Sequence, residues 1–339
     1  MPKILVIAPS WVGDADMVQP LLRRIKELHP ASEIDLFAPA WVAPVFERMA
    51  EVCRVEINPL AHGEFSFKLR RQLGHALKER HYQQAIVLPN SWKSALVPFF
   101  AGIPLRTGFV GELRYGLLND ARPLDKQALP LMVERFAQLA ERPGSALPRP
   151  VPHPRLNASE AGRDKTLAKL ELIPTQPIAA FCVGAEYGPA KRWPAEHFAR
   201  LAERLSERYA VWLFGSAKDA AIGHAIEQRS GGRALNLCGK TDLAEAIDLL
   251  SLSQLVVTND SGLMHVAAAL DKPLVAIFGS SSPSFTPPLS DKARIASLQL
   301  PCSPCFKREC PYGHLDCLAK LAPAQVEAEI SALLGVSLI

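Results

Sequence analysis

No stretch of the chain approaches the roughly 20 consecutive apolar residues that a membrane-crossing helix requires, so no span is expected. The first residues, Met1-Pro2-Lys3-Ile4-Leu5-Val6-Ile7-Ala8-Pro9, are too short an apolar run for a secretory leader and read as a first buried strand. Charge of one sign is scarce as well. The 38 Lys and Arg against 34 Asp and Glu leave a formal +4, which makes no case for nucleic acid and suits anionic substrates or an anionic membrane surface equally. Also missing are a Walker A loop, a nucleophile elbow, a zincin motif, any repeat at solenoid spacing and any low-complexity tract. No G-x-G-x-x-G follows the first strand, which weakens a dinucleotide-binding reading. Cysteines number seven, an odd count, and without an export signal reduced thiols in the cytosol are expected.

What is present is a soluble globular composition, 48% hydrophobic with 21% charged, in 339 residues, long enough for two domains. In the N-terminal half, short apolar runs at Ile4–Ala8, Ile34–Ala38, Val52–Ile57 and Ala85–Leu88 read as strands. Helical patterns at Met17–Leu28, Phe65–Arg80 and Ser91–Ala101 separate them. Strands without polar alternation, spaced by helices, imply a parallel sheet covered on both faces. Prolines 143, 148, 150, 152 and 154 then crowd one stretch with Gly144 and Ser145, the best domain boundary in the sequence. The alternation resumes with strands at Ile178–Val183, Val211–Phe214, Ala234–Leu237, Leu255–Thr258 and Leu274–Phe278. Helices are expected around His197–Arg208, Lys218–Arg229, Leu243–Ser251 and Leu263–Leu270, with a closing helix at Gln325–Leu334. The fold class is therefore α/β: two doubly wound, Rossmann-like domains, 1–150 and 151–322, with a closing helix in 323–339. A cleft between the carboxyl ends of the two sheets is the expected ligand site.

Thr258-Asn259-Asp260-Ser261-Gly262-Leu263-Met264-His265 carries the most information. An apolar run ends in a polar corner and turns into a helix, exposing N–H groups and the positive end of a helix dipole to phosphate or sugar hydroxyls. Asp260 and His265 stand near that corner; an ordinary turn capped by Ser261 or Asp260 reads the same way. Phe181-Cys182-Val183-Gly184-Ala185-Glu186-Tyr187-Gly188-Pro189-Ala190-Lys191-Arg192-Trp193-Pro194 runs a strand into a glycine-bearing cationic loop suited to a diphosphate. There Lys191 could stabilise the charge on a departing nucleotide diphosphate without metal, although a solvated basic loop remains open. Asp219, after Gly215, could meet ribose hydroxyls or simply sit in a first helical turn, and the turn Gly279-Ser280-Ser281-Ser282 could touch phosphate or be a plain loop.

In the N-terminal half, Asp14 follows Gly13 at the mouth of the first strand and could act as a general base or as a helix cap. Asp14-Ala15-Asp16 spells D-x-D, but carboxylates at i and i+2 of a helix point apart and no third ligand lies nearby, so metal is not expected there. Asn90 and Lys93 after a strand, with Arg106, Arg114 and Arg122 beyond, form a basic wall for a phosphorylated acidic glycan, or a solvated face. Cys302, Cys305, Cys310 and Cys317, with His314 among them, are consistent with tetrahedral zinc; their spacing is not a paired knuckle, and reduced thiols or a local disulfide stay open.

Ser10-Trp11-Val12-Gly13-Asp14, the Leu88–Phe100 segment, Gly184–Pro194 and Thr258–His265 together resemble the bacterial ADP-heptose:lipopolysaccharide heptosyltransferases, in order and over nearly the whole chain. The resemblance is strongest to the branch that adds the second heptose. It implies a GT-B glycosyltransferase that moves L-glycero-D-manno-heptose from ADP-heptose to the first heptose of the inner core with inversion, needing no D-x-D metal and no cofactor. A sister enzyme using Kdo or a later heptose, and a nucleotide-sugar-binding protein without turnover, are the alternatives. By residue match, Asp14 would be the base and Lys191 would neutralise the leaving phosphates. Asp260 would hold donor hydroxyls, while Ser261, Gly262, Leu263 and His265 meet the diphosphate beside Gly184 and Ala185. The lipid acceptor implies peripheral work at the cytoplasmic face of the inner membrane, aided by basic residues of the N-terminal domain. Members of the family without the cysteine-rich tail leave the role of that tail open.

Overall fold

A computed structural model describes residues 2–61 and 63–335 of the protein. Met1 of the first expected strand and residues 336–339 of the closing segment lie outside the described residues. The chain divides into two compact units, Met1–Pro154 and Arg155–Ile339.

The first unit is built on six strands: β1 (Lys3–Ile7), β2 (Glu33–Pro39), β3 (Arg54–Asn58), β4 (Gln84–Val87), β5 (Leu105–Phe109) and β6 (Asp120–Arg122). They lie in the order β3-β2-β1-β4-β5-β6, every pair parallel. The second unit has β7 (Ile178–Cys182), β8 (Ala210–Phe214), β9 (Ala234–Asn236), β10 (Ser253–Asn259), β11 (Leu274–Phe278) and β12 (Ala293–Ser297). Their order is β12-β11-β10-β7-β8-β9, again all parallel. Parallel strands need helical crossovers, which bury both faces, so the central strands are continuous apolar runs. β7 and β11 are buried at every residue.

Leu5, Ile7, Phe37, Ala85 and Val87 meet Leu77, Tyr82, Ala95 and Val97 in one core of the first unit. In the second, Ala179, Phe181, Leu213, Val257 and Ile277 pack with Trp193, Phe198, Leu201, Ala202 and Leu205. The helix Ala195–Leu205 buries Phe198, Ala199, Leu201, Ala202 and Leu205, the stripe expected of a helix lying on a sheet. The helix Pro323–Leu334 belongs to the second unit; Val326 and Ile330 join its core and Glu327 pairs with Arg204. No helix among the described residues is long and apolar enough to cross a membrane.

Several elements differ from expectation for identifiable reasons. The pattern from Met17 becomes the helix Gln19–Leu28, starting there because Pro20 has no N–H and fits only a helix start, and a short helix that the pattern did not include, Val12–Asp16, precedes it. Likewise the Ser91–Ala101 pattern is a 3-10 turn, Trp92–Ala95, followed by the helix Leu96–Phe100 with Pro98 in its first turn. The helix expected from Phe65 begins at Phe67, after Ser66 takes a left-handed conformation at φ 33°. β5, β6 and β12 carry no sustained apolar run, so periodicity did not reveal them.

Each sheet reverses its direction of growth once, between β1 and β4 in the first unit and between β7 and β10 in the second. Ligands of doubly wound sheets bind outside the carboxyl ends of the strands at such a reversal. Asp14 and Asn90 follow β1 and β4; Lys191 and Asp260 follow β7 and β10.

Candidate active site

At the second reversal the register pairs Cys182 of β7 with Thr258 of β10, so the two chains leave the sheet side by side. Asn259, fully buried, locks them there. Its Oδ1 accepts from the Trp193 backbone N–H (3.0 Å) and its Nδ2 donates to the Val183 carbonyl (2.8 Å). Trp193 is itself anchored, packed on Phe198 with centroids 4.8 Å apart and donating from Nε1 to the Leu321 carbonyl at 2.9 Å. The loop between these anchors brings the Lys191 ammonium to 2.5 Å from Asp260 Oδ2. Ser281, on the turn after β11, donates from Oγ to the same oxygen. The Asp260 side chain is only 4% exposed and that of Lys191 16%, so this pair is largely desolvated while the ammonium keeps one open side.

Beside it starts the helix Gly262–Ala269. Met264 through Ala269 are buried, whereas Ser261, Gly262 and Leu263 are half-buried, so only the N-terminal turn reaches the surface. Ser261 occupies the N-cap position but makes no capping hydrogen bond. The Ser261 side chain therefore leaves the first-turn N–H groups and the positive dipole end uncapped, a favourable seat for an anion. His265 is 5% exposed; burial, with a smaller contribution from Lys191, pushes its imidazole down to about 4 against the pull of Asp260. It is neutral at pH 7 and presents at most one N–H donor.

A neighbouring strand end supports the glycine of the loop. A Cβ on Gly184 would stand 2.5 Å from Asp219 Oδ2, so only glycine fits over that carboxylate. Asp219 is 5% exposed; its Oδ2 accepts from the Ser216 N–H (3.0 Å) and Oγ (2.7 Å), and its Oδ1 meets Arg192 at 3.3 Å. The structure thus gives Asp219 a loop-holding task beneath Gly184, and Ala185 is buried next to it.

Residues 303–308 form a strap over the loops that follow β7 and β11. Ser303 Oγ donates to the Gly279 carbonyl (2.5 Å) and the Phe306 N–H to the Ser280 carbonyl (2.6 Å). The Arg308 carbonyl accepts from the Ala190 N–H (3.0 Å), and Tyr187 Oη donates to the Phe306 carbonyl (2.8 Å). The Tyr187 ring lies 4.9 Å from Lys191 Nζ and 5.3 Å from the Arg308 guanidinium.

In the first unit, Asp14 is half-buried in the first turn of Val12–Asp16, whereas Asp16 is 2% exposed and burial raises its carboxyl well above the usual range. The two carboxylates of D-x-D occupy different surroundings, as their i and i+2 positions require.

A family model described as Glycosyltransferase family 9 (heptosyltransferase) matches residues 70–316. Lipopolysaccharide heptosyltransferase 2 of Escherichia coli strain K12 is 50% identical over 344 residues, covering 98% of both chains. The protein of the same name from Salmonella typhimurium is 50% identical over 345 residues, covering 98% of this chain and 99% of its own. Among solved structures, E. coli ADP-heptose lps heptosyltransferase II matches at 48% identity and TM-score 0.87, over 98% of each chain. The chain belongs to glycosyltransferase family 9, the heptosyltransferases. The expected fold class, doubly wound α/β of the GT-B kind, holds for this family 9 member.

The expected N-terminal residues separate into two groups. Asn90 is exposed, and Lys93 donates to the Gly63 (2.8 Å) and Glu64 (3.4 Å) carbonyls at a partly open position. Arg114, by contrast, is 2% exposed and donates to the Phe109 (2.7 Å) and Pro89 (2.5 Å) carbonyls and to Ser94 Oγ (3.1 Å), with burial lowering its guanidinium to about 10. Arg106 likewise donates to the Leu117 and Ile103 carbonyls, both at 2.6 Å, and lies 5.5 Å from the Phe99 ring centroid. These two arginines brace the loops around Asn90 and Gly116. Cys302, Cys305, Cys310 and Cys317 are free thiols, and among the described residues no group of three or more His, Cys, Asp or Glu side chains is arranged to hold a metal ion. Asn259 and Tyr187 were given no role from sequence, and Ser281 only a place in a turn that could touch phosphate or be a plain loop. Their signal was position: each lies within or just after a motif at the end of a central strand.

Proposed function

We propose that this family 9 member transfers L-glycero-D-manno-heptose from ADP-heptose to the first heptose of the lipopolysaccharide inner core, inverting the anomeric carbon. The observation that carries the reading is the Lys191–Asp260–Ser281 cluster beside the uncapped turn at Ser261. It joins a cation, a sugar-hydroxyl acceptor and an anion seat at one sheet reversal, the requirements of a nucleotide-diphosphate sugar. The similarity to heptosyltransferase 2 of E. coli supports the choice of sugar and acceptor.

In this mechanism Asp14 takes the proton from the acceptor hydroxyl as its oxygen attacks the anomeric carbon. The bond from that carbon to the diphosphate oxygen breaks, and ADP departs with the electron pair. Attack opposite the leaving group gives inversion. Lys191 and the N–H groups of Ser261, Gly262 and Leu263 stabilise the charge gathering on the diphosphate, and neutral His265 adds one donor. Asp260 accepts hydrogen bonds from donor hydroxyls. No metal takes part. Asn90 and Lys93 meet the acceptor, while Arg106 and Arg114 act indirectly by holding their loops. The acceptor is anchored in lipid, so the protein works peripherally at the cytoplasmic face of the inner membrane.

The test is to incubate purified protein with ADP-heptose and mono-heptosylated Kdo2-lipid A, with and without EDTA, following ADP release and acceptor mass. A gain of one heptose that survives EDTA is expected. Transfer only to a neighbouring core acceptor would retain the chemistry and overturn the acceptor; ADP-heptose binding without transfer to any acceptor would leave a binding protein.

A further inference from the structure

The first unit exposes an aromatic row that the reaction above does not use. Trp92, Phe65, Phe67, Phe100 and Phe99 follow one another with centroid separations of 5.2, 6.2, 5.4 and 5.6 Å. Four of the five are large and open: Trp92 40%, Phe65 45%, Phe67 47% and Phe99 41% exposed. Single exposed hydrophobics need no explanation, but a contiguous row of this kind marks an interaction surface.

The row is held in place rather than frayed. Gly74 lets the helices Phe67–Leu77 and Leu96–Phe100 approach closely, since a Cβ there would be 2.5 Å from the Phe100 Cβ. Arg70, 6% exposed, donates to the Phe65 (2.6 Å), Glu64 (2.8 Å) and Lys93 (3.1 Å) carbonyls, tying the loop that carries Phe65 to the turn that carries Trp92. Exposed Lys68 and Arg71 follow Phe67 on its own helix, and Arg106 lies against Phe99. On the other side of the balance, Glu64 accepts from Ser66 Oγ and the Ala61 N–H, and Glu112 from the Trp92 N–H.

We propose that this row is the surface by which the protein docks on an anionic lipid bilayer, the rings entering the headgroup boundary while exposed Lys68 and Arg71 meet lipid phosphates and Arg106, held against Phe99, adds positive charge behind them. Amphipathic aromatics flanked by Lys and Arg are the chemistry that recognises such an interface. The charge balance favours it over a neutral partner. The inference rests on the reading that the acceptor is a membrane lipid: the row runs into the Asn90–Lys93 turn, which that reading places against the acceptor.

The experiment is flotation of the full chain with vesicles of phosphatidylcholine alone or mixed with phosphatidylglycerol, comparing wild type, F67S/F99S and K68E/R71E. Wild type floats with the anionic vesicles, and each variant binds them at least about tenfold more weakly. Both variants keep wild-type turnover on a water-soluble, acyl-free acceptor and lose it on acceptor embedded in vesicles. A readout without a folding risk comes from tryptophan fluorescence. Brominated acyl chains quench wild type, and the difference vanishes in W92F. Equal flotation of all three proteins overturns the proposal. So does concentration-dependent self-association abolished by F67S/F99S, which would assign the row to a second copy. If flotation follows the aromatics while no acceptor is glycosylated, docking stands and the transferase reading falls.

Discussion

Replacing Lys191 with Met removes the ammonium and keeps most of the stem, which isolates the charge. In the folded protein that charge faces Asp260, whose side chain is 4% exposed and whose Oδ2 also accepts from the Ser281 hydroxyl. Breaking a buried pair by removing one partner costs about 3–5 kcal/mol, because the remaining charge is left uncompensated. Lys191 is the more open partner at 16%, which puts the expected loss near the lower end, about 3 kcal/mol. A second loss is chemical: without the cation, turnover should fall by about 10²–10³-fold, the usual cost of removing one group that stabilises developing charge. The two losses separate in the double variant K191M/D260N, where no charge is stranded and Ser281 keeps an acceptor. Urea unfolding should return to within about 1 kcal/mol of wild type, while heptose transfer stays depressed. Refutation would take either of two forms. K191M as stable as wild type would mean the pair is not desolvated; recovery of transfer in the double variant would mean the ammonium does not act on the donor.

Asp14→Asn should cut turnover by about 10²–10⁴-fold with donor affinity little changed, since a base acts in the transition state; steady-state kinetics beside ADP-heptose titration checks both. Asn259→Ala strands the Trp193 N–H and the Val183 carbonyl inside the second unit and should cost about 2–4 kcal/mol in urea unfolding, with weaker ADP binding. Asp16 gives a pH signature. Its carboxyl is raised in the folded state, so folding binds the protonated form more tightly, and this contribution to stability declines as pH rises above the unfolded value near 3.9. The stability of Asp16→Asn relative to wild type should therefore grow with pH, and a difference that stays flat across the series would contradict the burial. His265 acts in the opposite sense: with its folded value lowered to about 4, it withdraws stability as pH falls below about 6.5, but equally in both proteins.

Much of this was legible before any coordinates, and for a physical reason. Parallel strands buried on both faces must be apolar throughout, so β1, β2, β4, β7, β10 and β11 announce themselves, and polar corners after them mark the ligand end. Asp260 stands out as a charged group directly after such a run, and Lys191 lies in the glycine-bearing loop that follows another. What sequence could not supply was direction. Arg106 and Arg114 read as a basic wall, yet Arg114 turns inward because loop carbonyls of Pro89 and Phe109 need donors. Asp219, which read either as a ribose contact or as a first-turn carboxylate, accepts from Ser216 beneath Gly184. Edge strands such as β12, exposed at three of five residues, lack the apolar run that exposes a strand to pattern reading. The aromatic row was hidden for another reason: Phe65, Phe67, Trp92, Phe99 and Phe100 become one surface only when two helices cross at Gly74.

The strap over the loops that follow β7 and β11 has a consequence in time. Tyr187 is tied to Phe306, 119 positions later, and Trp193 to Leu321, 128 positions later. During synthesis the loop bearing Lys191 emerges long before the residues that hold it, and closing such distant contacts is the slow part of folding. A nascent chain can thus complete β7 and its neighbours while the loop bearing Lys191 stays unfastened, until the segment from Phe306 to Leu321 has been made.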